Sequence, residues 1–108
     1  MTTVRLIKSG GNTVGFEVSG HSGYAECGSD IVCAAISSSV TLVETIINDS
    51  FGAGADVTVD SQTAEIKLML NKHCELCQSV LEAFERQMCA LREEYPKHIK
   101  ILEVQSNA

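Results

Sequence analysis

Polar and apolar positions alternate with a period of two near the start of the chain. Val14, Phe16 and Val18 are separated by Gly15, Glu17 and Ser19. That spacing puts the apolar side chains on one face of a strand. Residues 4–8 are short, apolar and partly β-branched, which predicts another strand. The turn signal Ser9-Gly10-Gly11-Asn12 joins the two as a hairpin. From Asp30 the period becomes helical. Val32, Ile36, Val40, Val43 and Ile47 form one stripe, which Ala35, Leu42 and Ile46 widen. The pattern predicts a helix over 30–48, capped by Ser29 or Asp30 and ended by Gly52 and Gly54. Ser37, Ser38, Ser39 and Thr41 are weak helix formers, so tertiary packing must hold it, as in a buried central helix.

Residues 56–59 and 64–70 read as a further strand pair around Asp60-Ser61-Gln62. Asn71 is a candidate cap for a second helix, whose apolar stripe runs Leu76, Val80, Phe84, Met88, Leu91, Tyr95. Glu82 and Arg86 lie one turn apart on its polar face, and Pro96 stops it. Ile99, Ile101 and Leu102 begin a last strand, and 105–108 reads as a loose tail. The order strand-strand-helix-strand-strand-helix-strand gives an α+β fold, a mainly antiparallel sheet covered by two helices. A chain of 108 residues with 44% hydrophobic content is read as a single domain over 1–108, long enough to bury a core.

Charge narrows the partners. Fourteen Asp and Glu against eight Lys and Arg leave a formal charge of -6, without a basic stripe. That argues against direct nucleic-acid binding and suits a basic polypeptide partner. No charged start followed by an apolar run marks a signal peptide at the N-terminus. The apolar segments read as too short and too interrupted to span a bilayer, so no membrane partner is expected. Five cysteines without an export signal point to reduced thiols and a cytoplasmic location.

Chemistry concentrates in residues 20–37, where glycines at 20, 23 and 28 frame a loop that leads into the first helix. His21 lies in the loop and Cys33 near the helix start. Cysteine attacks carbonyls as the thiolate, a form favoured by a helix N-terminus or a nearby imidazolium. The orphan N–H groups of a first turn also suit a developing oxyanion. An imidazole brought back over the helix start would pair with the sulfur and protonate a leaving amine. The competing reading is a solvated histidine and a packed, inert cysteine.

A second cluster, His73-Cys74-Glu75-Leu76-Cys77, contains a C-x-x-C. Zinc needs about four ligands, and no second Cys/His pair lies at suitable spacing, so no metal is assigned. A thioredoxin-type role expects the motif after a strand within a βαβ unit. The alternative is a helix start where one cysteine packs and the other is exposed.

The runs Gly20-His21-Ser22-Gly23-Tyr24 and Gly28-Ser29-Asp30-Ile31-Val32-Cys33-Ala34-Ala35-Ile36-Ser37 resemble the signature of the ribosomal-processing cysteine protease family Prp. The resemblance extends over the order of strands and helices. It implies a cytoplasmic, homodimeric endopeptidase without a cofactor. Its substrate would be the N-terminal extension of the large-subunit ribosomal protein numbered twenty-seven. It also implies Cys33 as nucleophile and His21 as acid–base partner. Gly20, Ser22, Gly23, Tyr24 and Gly28 would form the substrate loop. Asp30 would orient His21 or cap the helix; Ser37 and Ser38 would line the site or bond to backbone carbonyls. A rival from another class is a non-catalytic, dimeric ribosome-assembly interaction protein; a thiol-redox protein acting through Cys74 and Cys77 is a third reading.

Overall fold

The computed structural model describes residues 1–20, 29–60, 62–63 and 65–106, with Ser29 and Asp30 described by their backbone alone. Strands β1 (Thr2–Ser9) and β2 (Asn12–Ser19) form the expected hairpin. Helix α1 (Ser29–Glu44) follows, then a π-helical extension, Thr45–Ser50. Strands β3 (Ala55–Asp60) and β4 (Glu65–Leu70), helix α2 (Glu75–Glu94) and strand β5 (Ile99–Gln105) complete the α+β order.

The sheet runs β3-β4-β2-β1-β5. Three neighbouring pairs are antiparallel, and β5 runs parallel to β1. Val4, Leu6, Phe16, Val18 and Leu68 project from it to meet Val32, Ile36, Val40, Val43 and Ile47 of the first helical segment, all buried. From α2 come Cys77, Leu81, Phe84, Met88 and Leu91. The rings of Phe16 and Phe84 stack with centroids 4.0 Å apart and planes 18° from parallel, joining sheet and helix at the centre of the core.

Several expectations need correction. The first helical segment is not central: it covers one face of the sheet, and Leu42, expected to widen its buried stripe, is 61% exposed. Helix α1 begins at Ser29, one residue before the expected start at Asp30. The segment 31–50 is long and apolar enough by composition to cross a membrane, against the sequence reading. In this fold its apolar stripe packs on the sheet. The cap of α2 is Cys74, whose sulfur accepts the Cys77 N–H, and not Asn71, whose N–H donates to the Gly54 carbonyl. The buried stripe of α2 begins at Cys77 and Leu81; Leu76 is exposed and Val80 half-buried.

A bulge shapes the β1–β2 pair. Ile7 faces Gly15 but Lys8 faces Thr13, so Val14 is the extra residue. Thr13 then turns its main chain to α2: its N–H donates to Gln78 Oε1 and its carbonyl accepts from Gln78 Nε2, each at 2.9 Å. Lys8 Nζ adds bonds to Thr13 Oγ1 at 2.8 Å and to Glu85 at 3.1 Å. Nearby, a Cβ at Gly15 would collide with the Leu68 carbonyl and lie 2.6 Å from Met69 Sδ. Glycine is therefore what lets β2 and β4 approach here.

Candidate active site

Helix α1 opens with Ser29-Asp30-Ile31-Val32-Cys33. Its neighbours fix how Cys33 is presented. Val32 and Ile36 are buried in the core, which orients this end of the helix on the sheet. Cys33 lies between them, half-buried at the edge of that packing. The four N–H groups at the start of a helix have no partner within it and carry the positive end of its dipole. Cys33 is the fifth residue of α1, just past that first turn.

Gly20 ends the described part of the hairpin with φ +79°. A Cβ there would lie 2.8 Å from the Met1 carbonyl oxygen. The conformation and the space both demand glycine where the chain leaves β2. His21, Ser22, Gly23, Tyr24 and Gly28 lie outside the described residues, as does Cys27.

Ser37, one turn after Cys33, is exposed, and its carbonyl accepts the Thr41 hydroxyl at 3.0 Å. The Ser39 hydroxyl donates to the Ala35 carbonyl at 2.8 Å. The hydroxyl-rich stretch thus bonds in part to its own helix, as the packing alternative expects. Ser38 instead lines an open cavity of about 590 Å³ between the helices, with Leu42, Phe51, Leu76, Val80 and Gln87. Cys33 is not among its lining residues. Ser37 and Ser38 therefore face different surroundings, although they are adjacent in sequence.

The model of the family described as cysteine protease Prp matches residues 1–100. The chain belongs to this family of cysteine proteases. Solved structures share the Prp fold. The ribosomal processing protease Prp of Staphylococcus aureus, in complex with a substrate peptide, matches with a TM-score of 0.88 at 22% identity, over 96% of this chain and 100% of that one. The same enzyme with a covalently linked product peptide gives 0.83 at 22% identity, with the same coverages. The protein SMU.848 from Streptococcus mutans gives 0.85 at 24% identity, over 98% of this chain and 96% of that one. Among curated proteins none matches.

The C-x-x-C at Cys74 is the sequence's candidate for metal or redox chemistry. Cys77 is fully buried and Cys74 half-buried, three residues apart at the start of α2. Among the described residues, no group of three or more His, Cys, Asp or Glu is placed to hold a metal.

Proposed function

We propose that the protein is an endopeptidase of ribosome biogenesis that removes the N-terminal extension of large-subunit ribosomal protein twenty-seven. The observation that carries this reading is the Prp family match over residues 1–100. The Staphylococcus aureus relative described with a substrate peptide and with a covalently linked product peptide supports it.

The mechanism assigns Cys33 as nucleophile and His21 as acid–base partner. The Cys33 sulfur attacks the scissile carbonyl carbon, and N–H donors at the start of α1 hold the oxyanion. His21 protonates the departing amine as the C–N bond breaks, leaving a thioester on Cys33. Water then adds to the thioester, releases the new carboxylate and restores the sulfur. Gly20, Ser22, Gly23, Tyr24 and Gly28 form the loop that receives the extended substrate. Asp30 at the helix start and Ser37 and Ser38 beyond it act as supporting residues. An acidic protein with charge -6 suits a basic ribosomal substrate. The enzyme works in the cytoplasm as a homodimer.

The test is incubation with the full-length ribosomal protein of the same cell, followed by mapping of the new N-terminus. The wild-type protein is expected to yield one cleavage, and Cys33→Ala and Cys33→Ser none, with unchanged circular dichroism. Cleavage by the alanine variant at the wild-type rate refutes the assignment of Cys33.

A further inference from the structure

Two cysteines outside the proposed protease dyad share one helical turn. Cys74 occupies the capping position of α2 with φ -145° and ψ 115°, and its Sγ accepts the Cys77 N–H at 3.3 Å. Cys77, one turn on, is fully buried. The pair thus has one half-exposed and one enclosed sulfur, held in one turn by the Cys77 N–H bond to the Cys74 sulfur. A disulfide joins residues whose α-carbons lie about 4.4–6.8 Å apart, a range one turn of helix can meet. The turn is also braced: Gln78, next to Cys77, is held to Thr13 by two hydrogen bonds of 2.9 Å.

The geometry points to a second thiol site, a dithiol at Cys74 and Cys77 that exchanges electrons with low-molecular-weight disulfides and acts independently of Cys33. The hydrogen bonds from Cys77 are the main reason that the Cys74 thiol is lowered from its ordinary value, and the Lys72 charge adds to the effect. Burial pushes Cys77 up to about 12. Cys74 is therefore the attacking sulfur and Cys77 the resolving one. A recess of about 310 Å³ lined by Ser9, Asn12, Val14, Leu70, Lys72 and His73 opens at the two residues before Cys74. It offers a small disulfide bearing carboxylates a place against the Lys72 ammonium.

The exchange balances in two steps. The Cys74 thiolate attacks one sulfur of the external disulfide; its S–S bond breaks and one thiolate departs, taking a proton from solvent. Cys77 then loses its proton to solvent and attacks the Cys74 sulfur, displacing the second thiolate, which is protonated in turn. One protein disulfide has formed and one small disulfide has become two thiols.

Oxidised glutathione is the probe, with acid quenching, alkylation and peptide mapping of the whole protein as the readout. Wild type and Cys33→Ser are both expected to form the Cys74–Cys77 disulfide. Cys77→Ser is expected to retain a glutathione adduct on Cys74. On the native wild-type protein, iodoacetamide at neutral pH should alkylate Cys74 about tenfold or more faster than Cys89. That comparison needs no variant. Oxidation that bypasses Cys74 and Cys77, an adduct on Cys89 in place of Cys74, or equal alkylation of Cys74 and Cys89 each overturns the proposal.

Discussion

Cys74 and Cys77 are both thiols in one turn, yet the fold moves them in opposite directions. Burial raises Cys77 from an ordinary value of 9.0 to about 12, whereas hydrogen bonds from Cys77 lower Cys74. The raised group holds its proton in the folded state after the unfolded chain has lost it. Its contribution to stability is complete below pH 9.0 and is lost as pH climbs towards about 12. For the lowered group, the contribution is present above its ordinary value and lost as pH falls through the lowered one. A Cys74→Ser background removes the neighbouring thiol. In it, urea unfolding at pH 8 and pH 10 should show a shallower alkaline loss for the added Cys77→Ala than for Cys77 retained. Equal losses would contradict burial as the cause. At this scale the sequence was half legible. It offered one packed and one exposed cysteine as a reading, but could not show that Cys77 replaces Leu76 on the buried stripe. A rotation of one residue along a helix moves a side chain by about 100°, and Leu76 is apolar enough to suit either side.

At the scale of elements, apolar period fixed what each segment would be. The stripe Val32, Ile36, Val40, Val43, Ile47 is buried throughout because helical spacing leaves it one side to occupy. The end of that helical segment was less legible. Phe51 donates its N–H to the Ile46 carbonyl at 2.9 Å, a π-type bond, and Asn48 binds both main-chain groups of Ala55. Neither feature leaves a periodic trace. Phe84 shows how strongly one helix depends on the sheet. It is 2% exposed and stacks on Phe16, so Phe84→Ala is expected to cost about 3–5 kcal/mol in denaturant unfolding. A loss below about 1 kcal/mol would mean that the site collapses around the gap. For the candidate site, the sequence offers the two runs around His21 and Cys33, and of these the structure describes only Gly20 and the chain from Ser29 onward. The structure adds why Gly20 is glycine and which residues orient Cys33. Residues 21–28 carry no apolar period and lie outside the described residues.

For the whole molecule, the element order was legible but the strand order was not. Turn signals reveal neighbours along the chain, as in the β1–β2 hairpin. They carry no information on β5 lying parallel to β1, with Thr2 opposite Ile99 and Lys8 opposite Gln105. Ile99 is 2% exposed, so this strand belongs to the core. Removal of residues 99–108 is therefore expected to abolish cooperative thermal unfolding, as followed by calorimetry. A sharp transition in the shortened protein would show that four strands suffice. The same placement bears on birth at the ribosome. Synthesis delivers β1 well before its outer neighbour β5, so one flank of β1 stays unzipped until β5 has emerged. Through that interval the open flank is a docking edge for stray strands, and the maturing enzyme depends on a chaperone or on speed to keep it vacant.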